Sequence, residues 1–495
     1  MMYGEEKSDS LIVAANLANN PQGAESVERR SGAKGNAEQP HMRRTQSRES
    51  MSQRLSRVRE AAKQRKKERF TALFHLLTAE ALENAFLSLS RKAAAGVDGV
   101  RWKDYAENLK VNIADLHRRL HQGSYRAQPG RRHYIPKADG KQRPLGIASL
   151  EDKIVQYALV KILNAVYEND FMGFSYGFRP GRSQHNALDA LATGLVRTNV
   201  NWVLDADISQ FFDKVSHEWL IRFIEHRIGD QRVIRLIRKW LTAGTSEEGE
   251  WRASEEGTPQ GAVISPLLAN IYLHYVFDLW AHQWRRRHAT GNVVMVRYAD
   301  DIVIGFDKRI DAQCFRIAMQ RRLKEFGLTV HPKKTRLTEF GRFAAENRAS
   351  RGKGKPETFN FLGFTHISGK DRSGRFMLIR KTRRDRMTAT LKAIKDGLRK
   401  RWHYSIPEQG KWLRRVVQGY LNYHSVPGNY PMMRKFRIYV TDLWRRALRR
   451  RSQQDDTTWT KANRLAAVWL PKVRVLHPWP VERFTARHPR QEPGA

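Results

Sequence analysis

Apolar residues recur at helical spacing from Phe70 to Leu89, through Leu73, Leu76, Leu77, Leu82 and Phe86, which predicts an amphipathic helix. A Gly-rich turn at Gly96-Val97-Asp98-Gly99 follows, then a second helical pattern through Tyr105, Leu109, Ile113, Leu116 and Leu120. From Tyr134-Ile135-Pro136-Lys137 to Arg143-Pro144-Leu145-Gly146-Ile147 the chain reads as basic strands and turns. Between 200 and 310 two strand patterns stand out. Trp202 to Ile208 is a short apolar run broken by acids, and Val293 to Phe306 is two β-rich runs either side of Ala299-Asp300-Asp301. The second is a hairpin pattern with carboxylates at its turn. Helical patterns separate the two, so this part is expected to be a mixed α/β layer. Residues 341–356 read as a loop, and beyond about 376 basic helices take over without an internal repeat. Residues 1–65 show no sustained periodicity and are expected to be disordered, apart from a basic helical exit over 54–69.

Length and charge narrow the class. The 495 residues suggest about three domains. Ninety Lys and Arg against 50 Asp and Glu leave a formal charge of +40, which makes a polyanion such as nucleic acid the default partner. A hydrophobic content of 40% with 13 Trp excludes a merely disordered basic tail. Cys314 is the only cysteine, which excludes an intramolecular disulfide and a Cys-paired zinc site and fits a reducing compartment. The most apolar stretch, Gly261 to Trp280, carries Pro266, Asn270, His274 and Asp278, so no membrane span is expected. Nor does the start of the chain, with Glu5, Glu6 and Asp9, read as a secretory signal. The expectation is a cytoplasmic protein associated with RNA or the bacterial nucleoid.

Three acids at strand ends, Asp207 and the pair Asp300-Asp301, carry the candidate chemistry. Adjacent carboxylates repel, and hard oxygen ligands suit Mg²⁺ shared with substrate phosphates. Two such ions about 4 Å apart activate a hydroxyl nucleophile and stabilise a leaving phosphate. The plainer alternative for an isolated Asp-Asp pair is turn chemistry alone.

The setting of these acids decides between the two. Tyr298-Ala299-Asp300-Asp301, with Asp207-Ile208-Ser209-Gln210-Phe211-Phe212-Asp213 about 90 residues upstream, resembles the palm of a reverse transcriptase. Gly257-Thr258-Pro259-Gln260-Gly261 with Ser265-Pro266-Leu267-Leu268-Ala269-Asn270 is similar to the fourth block of group II intron reverse transcriptases. Arg143 to Ile147 is similar to their second block, Gly327 to Thr335 to their sixth, and Phe361-Leu362-Gly363-Phe364 to their seventh. Gly419-Tyr420-Leu421-Asn422-Tyr423-His424 resembles the maturase segment, domain X. The resemblance runs from roughly 70 to 480 in the family's order. It implies an α+β right-hand polymerase, with fingers and palm on antiparallel sheet over 66–370 and a helical thumb over 371–411. A helical maturase domain over 412–480 and a tail over 481–495 would follow.

The resemblance also implies residue roles. Asp207, Asp300 and Asp301 would be catalytic and would hold two Mg²⁺ ions, with the Ile208 carbonyl as a further ligand. Lys137 and Arg143 would meet the dNTP triphosphate, Arg143 by a bidentate fork. Gln260 would lie beside the new base pair. Phe211 would sit by the incoming sugar if the chain stays extended beyond Asp207, or else be a core aromatic. Lys334 would approach the primer end, or be a solvated lysine. Asp205 and Asp213 are expected to be structural. Over 371–450 there are 22 Lys and Arg against 5 Asp and Glu, a net +17, interleaved with Trp402, Trp412, Tyr420, Tyr423 and Trp444. Arg414, Arg415, Arg445, Arg446, Arg449 and Arg450 are the candidate RNA-binding cations, with the last four on one helical stripe.

The function so implied is RNA-directed DNA synthesis combined with group II intron splicing and retrohoming by target-primed reverse transcription. Its partners would be intron RNA, an RNA template with a DNA primer, target DNA and dNTPs, and a homodimer stays open. With a single cysteine and about 15 residues after Pro480, the His/Asn nuclease of many mobile members is not expected. Two rivals remain: a free-standing reverse transcriptase in host defence or repair, and an RNA chaperone with an inert palm. The intact acidic triad argues against the second.

Overall fold

The computed structural model describes residues 38–136, 142–247, 249–451 and 457–487. Lys137 lies outside the described residues. Three sheets organise the chain. Strands β1 (Gly130–Pro136), β2 (Gln142–Ile147), β4 (Thr245–Glu247) and β5 (Glu250–Arg252) form one, in the order β2-β1-β4-β5. Strands β3 (Trp202–Asp207), β6 (Val293–Tyr298), β7 (Asp301–Phe306) and β8 (Arg336–Glu339) form the second, in the order β6-β7-β3-β8. All of its neighbours are antiparallel. Strands β9 (Thr358–Phe361), β10 (Phe364–Lys370) and β11 (Phe376–Thr382) form the third, and helices fill the rest, so the chain is α+β.

The second sheet is apolar on both faces because it is covered on both. Leu204, Met295, Ile302 and Ile304 enter one core with the helices Leu150–Tyr167 and Ser265–Leu273. Val203, Val294, Val296 and Val303 enter another with the helix Gln184–Arg197. Strand β6 would be an open edge, but Phe174 to Tyr176 pair with it through hydrogen bonds to both sides of Arg297, at 2.8 and 2.9 Å.

Several expectations are corrected. The helix expected over 70–89 begins only at Ala79, where the Thr78 hydroxyl caps Ala81 N–H at 3.2 Å. The preceding segment is held out of helix because the Asp230 carboxylate accepts from Leu73 and Phe74 N–H at 2.9 and 2.8 Å. Within 1–65, residues 1–37 lie outside the described set; the helix Glu38–Gln64 includes the first part of the expected basic exit, over 54–64, but begins well before it, where disorder was expected. Met51, Leu55, Val58 and Ala62, spaced four, three and four apart, form an apolar stripe against the core. So sparse a stripe is hidden by the polar residues around it. The loop over 341–356 contains a short helix, Ala344–Ala349.

Helices Arg384–Arg399, Ile406–His424, Tyr430–Arg449 and Trp459–Trp469 share one core around Leu398, Leu413, Phe436 and Trp444. Residues on both sides of the boundary expected at 411/412 belong to it. The chain then returns to the sheets. Helix Pro480–Arg487, in the expected tail, packs on helix Gln184–Arg197, with Phe484 buried and Arg483 ion-paired to the buried Asp189.

Candidate active site

Strand pairing brings the acids together. Asp207, the last residue of β3, stands directly opposite Asp301, the first of β7. Asp300 occupies the two-residue turn between Tyr298 and Asp301. Two carboxylates facing each other across an antiparallel pair have Cβ atoms only about 5 Å apart. Partial burial first, then the Asp300 and Asp207 charges, push Asp301 up to about 6. Asp300 is raised by burial and by Asp207, against the pull of Arg143 and Lys334. Asp205, one strand period back on the same face, is raised to about 7 by burial, Asp301 and Asp207. Such a set is short of positive charge. Lys334 supplies some, its ammonium donating to Asp207 Oδ2 at 2.8 Å.

The turn has its own support. Ala299 is left-handed (φ 56°), a conformation that costs a non-glycine residue about 1–2 kcal/mol. The Arg297 guanidinium donates to the Ala299 carbonyl at 3.0 Å and to Asn270 Oδ1 at 3.2 Å. It also forks onto Asp278 at 2.7 and 2.5 Å, and both partners of that pair are fully buried. Gly177 packs so tightly on Ala299 that any side chain there would collide with its backbone. Sequence reasoning missed this buried network. Its signal was the polar set, Asn270 and Asp278, inside the most apolar stretch of the chain.

The implied sixth block bonds to the end of β3. Ser209 N–H donates to Thr329 O and His331 N–H to Asp207 O, at 2.8 and 2.7 Å. The Ile208 carbonyl takes no part in those two bonds. The fourth block wraps the turn after β3: Thr258 N–H donates to Phe212 O at 2.7 Å and Gly257 N–H to Val215 O at 2.8 Å. Gly257 has φ 87° and would press a side chain onto Phe212 O, which is why glycine stands there. The same loop holds the first sheet, where Gly146 N–H donates to Gln260 O at 2.7 Å. Gln260 also donates to Asp213 Oδ1 at 2.9 Å, while Arg143 on β2 is exposed.

Phe211 does not sit where an extended chain would put it. Gln210 is left-handed (φ 48°) and residues 211–213 form a 3₁₀ turn, so the strand's alternation ends before Phe211. Phe211 is 2% exposed, in the core beside Tyr272. Phe212 instead lines a cleft with Gln260, Asp213, Pro144 and Arg132.

Among the basic candidates, Arg414, Arg415, Arg446, Arg449 and Arg450 are exposed. Arg445 is not part of one free stripe. It pairs with Asp442 at 3.0 Å and lies over the Trp459 ring at 4.9 Å.

All the donors at the carboxylate site are hard oxygens, and their mutual repulsion is relieved by an ammonium, so the residues fit divalent cations. Among the described residues, however, no three His, Cys, Asp or Glu side chains close around one point. Nor is any helix among them long and apolar enough to cross a membrane.

Comparison with known proteins agrees with this geometry. Residues 135–366 match the family described as Reverse transcriptase (RNA-dependent DNA polymerase). Protein YkfC of Escherichia coli K12 is 43% identical over 206 residues, covering 41% of this chain and 54% of that protein. The group II intron-encoded protein LtrA of Lactococcus lactis is 37% identical over 223 residues, covering 44% of this chain and 37% of LtrA. The putative COX1/OXI3 intron 1 protein of Saccharomyces cerevisiae is 26% identical over 393 residues, 66% of this chain and 46% of that protein. The chain thus spans about half the length, or less, of these relatives. The carboxylates at the hairpin tip lie within the segment, 135–366, that matches the reverse transcriptase family, and the chain is similar to group II intron-encoded proteins.

Proposed function

We propose that the protein is an RNA-directed DNA polymerase that also binds group II intron RNA, assisting splicing and retrohoming by target-primed reverse transcription. The observation that carries the polymerase reading is Asp207 facing Asp301 across two strands, with Asp300 at the adjoining turn. In this reading the first two sheets and their helices are fingers and palm, and the helices after β11 are thumb and maturase domain. Asp207, Asp300, Asp301 and the Ile208 carbonyl would hold two Mg²⁺ ions. When bound, these ions lower the pKa of the primer 3′-hydroxyl and neutralise charge on the leaving pyrophosphate.

The protein's own residues align the reactants. Arg143 holds the dNTP phosphates in a fork, its charge offsetting that of the nearby Asp300. Gln260, fixed by Asp213, borders the nascent base pair, and Phe212 takes the place beside the sugar that Phe211 cannot reach. Lys334, here paired with Asp207, would be free for the primer phosphate if cations took its place at the carboxylates. The exposed arginines of the helical half grip RNA phosphates.

The test is primer extension on an RNA template by the wild type and by Asp300→Ala, with RNA binding measured in parallel. Loss of one metal-binding carboxylate should lower the rate by about 1,000-fold or more. RNA affinity should stay within severalfold. Extension near the wild-type rate would overturn the assignment. Intron splicing should survive the substitution, because the RNA surface lies on other helices.

A further inference from the structure

We infer that the cleft between helices Arg384–Arg399 and Tyr430–Arg449 captures one unstacked nucleotide of bound RNA. Its base would lie on Trp402 and its flanking phosphates on Lys395, Arg399 and Arg450. The inference rests on the proposed RNA-binding role of the helical half and names what that half reads.

The cleft has an apolar floor and a cationic rim. Leu398, Leu443 and Ala447 form the floor with the half-buried Trp402. Lys395, Arg399, Arg446 and Arg450 stand at the rim, and no acid lines the cleft. Asp442 partly neutralises Arg446 at 2.7 Å, whereas no ion pair engages Lys395, Arg399 or Arg450 among the described residues. Its volume of about 110 Å³ is below the ~300–1,000 Å³ of sites that enclose a whole small molecule, so only one flat part of a guest enters.

Charge and shape together select the occupant. Cations around an apolar slot exclude a basic or purely aliphatic guest, and they need an anion that also carries a flat apolar body. A nucleotide is both, its base offering a π-face to an indole and its phosphates to guanidinium groups. A continuous duplex would touch the rim and leave the slot empty, because its bases are stacked inside. Recognition by splayed-out bases is how proteins distinguish loops and bulges from paired RNA. The neighbouring Trp412 is already covered, by the Arg401 guanidinium 4.4 Å from its ring, so of the two Trp402 is the one lining the cleft.

The experiment compares full-length protein binding to two RNA hairpins of equal length, one fully paired and one with a single bulged 2-aminopurine, across a salt series. The wild type should favour the bulged RNA by roughly tenfold and quench its fluorescence by stacking. Trp402→Ala should abolish the preference and the quenching, and Trp402→Tyr should retain both. Ala447→Phe, which fills the slot without changing charge, should abolish the preference and keep the salt slope. If Ala447→Phe fails to fold by circular dichroism, Leu443→Trp takes its place. Arg399→Gln with Arg450→Gln should weaken both RNAs and flatten the slope. Equal wild-type affinity for the two hairpins overturns the capture site. So does a bulge preference that survives the filled slot. If the arginine variants still weaken both RNAs, the RNA-binding reading stands without the capture site. If the protein binds neither RNA at low salt, the RNA-binding reading itself falls.

Discussion

Arg297 and Asp278, both without solvent exposure, form a two-bond fork behind the turn that carries Asp300. The same guanidinium holds the Ala299 carbonyl, so the pair fixes where the turn's carboxylates point. Arg297→Lys keeps the charge but loses the planar fork. We expect kcat for primer extension to fall by about 10- to 100-fold, since a displacement near 1 Å in a reacting group is worth that much. The KM for dNTP should stay within about threefold, because Arg143 and Gln260 sit on other elements. A simple loss of stability would lower the melting temperature and leave kcat of the folded fraction unchanged, so active-site titration separates the two.

Phe212 and Phe211 make opposite predictions. Phe212→Ala opens the cleft beside Gln260 and should raise ribonucleotide incorporation relative to deoxyribonucleotide by about tenfold or more, as expected when one sterically decisive contact is removed. Phe211→Ala removes a core ring and should cost about 3–5 kcal/mol of stability with the sugar ratio unchanged. Competitive incorporation assays and urea unfolding read the two effects. A shifted sugar ratio in Phe211→Ala alone would reverse the assignment.

Acid should destabilise the protein through buried histidines. Burial, then the Arg297 charge, lowers His274 to about 3, and burial with Arg380 lowers His366 to about 3. The unfolded chain binds these protons near pH 6.5 while the folded chain refuses them until about pH 3. Stability is therefore complete above pH 6.5 and falls as pH drops from there towards 3. At pH 5 each histidine should account for about 2 kcal/mol of lost stability. His366 stacks on Phe359 at 4.7 Å, so His366→Phe should keep the packing and flatten the pH dependence of urea unfolding between 6.5 and 5. An unchanged slope would mean that His366 is not the proton acceptor.

The basic helix Tyr430–Arg449 and its end divide by environment. Replacing the exposed Arg446, Arg449 and Arg450 with Gln should flatten the log K versus log salt slope for intron RNA by about 0.7 per lost phosphate contact, roughly 2 units in all. Short-primer extension should persist. Arg445→Gln, which removes an Asp442 partner and a cation over Trp459, should lower the melting temperature and leave the slope alone. Equal loss of RNA binding and extension in the triple variant would assign this surface to the template grip.

The site was legible where chemistry and local pattern coincide. Asp207, Asp300 and Asp301 end β-rich runs, and strand pairing follows from those runs, so their meeting could be read from the chain. Phe211 could not be placed that way, because a single left-handed residue, Gln210, ends the alternation on which the reading depended. The Arg297–Asp278 pair joins residues on a strand and a distant helical turn, and no local period links them. The part of helix Glu38–Gln64 before residue 54 was missed because the helix's buried stripe is sparse and belongs to a surface that only the rest of the fold provides.

Helix Pro480–Arg487 gives the helical bundle a further anchorage. The bundle leaves the sheets at β11, is bonded to the third sheet through Asn429 and Tyr423, and is fastened back through Phe484 and the Arg483–Asp189 pair. A body tied at separate places cannot swivel freely about its exit strand. An opening that admits a template must therefore release at least one of these ties.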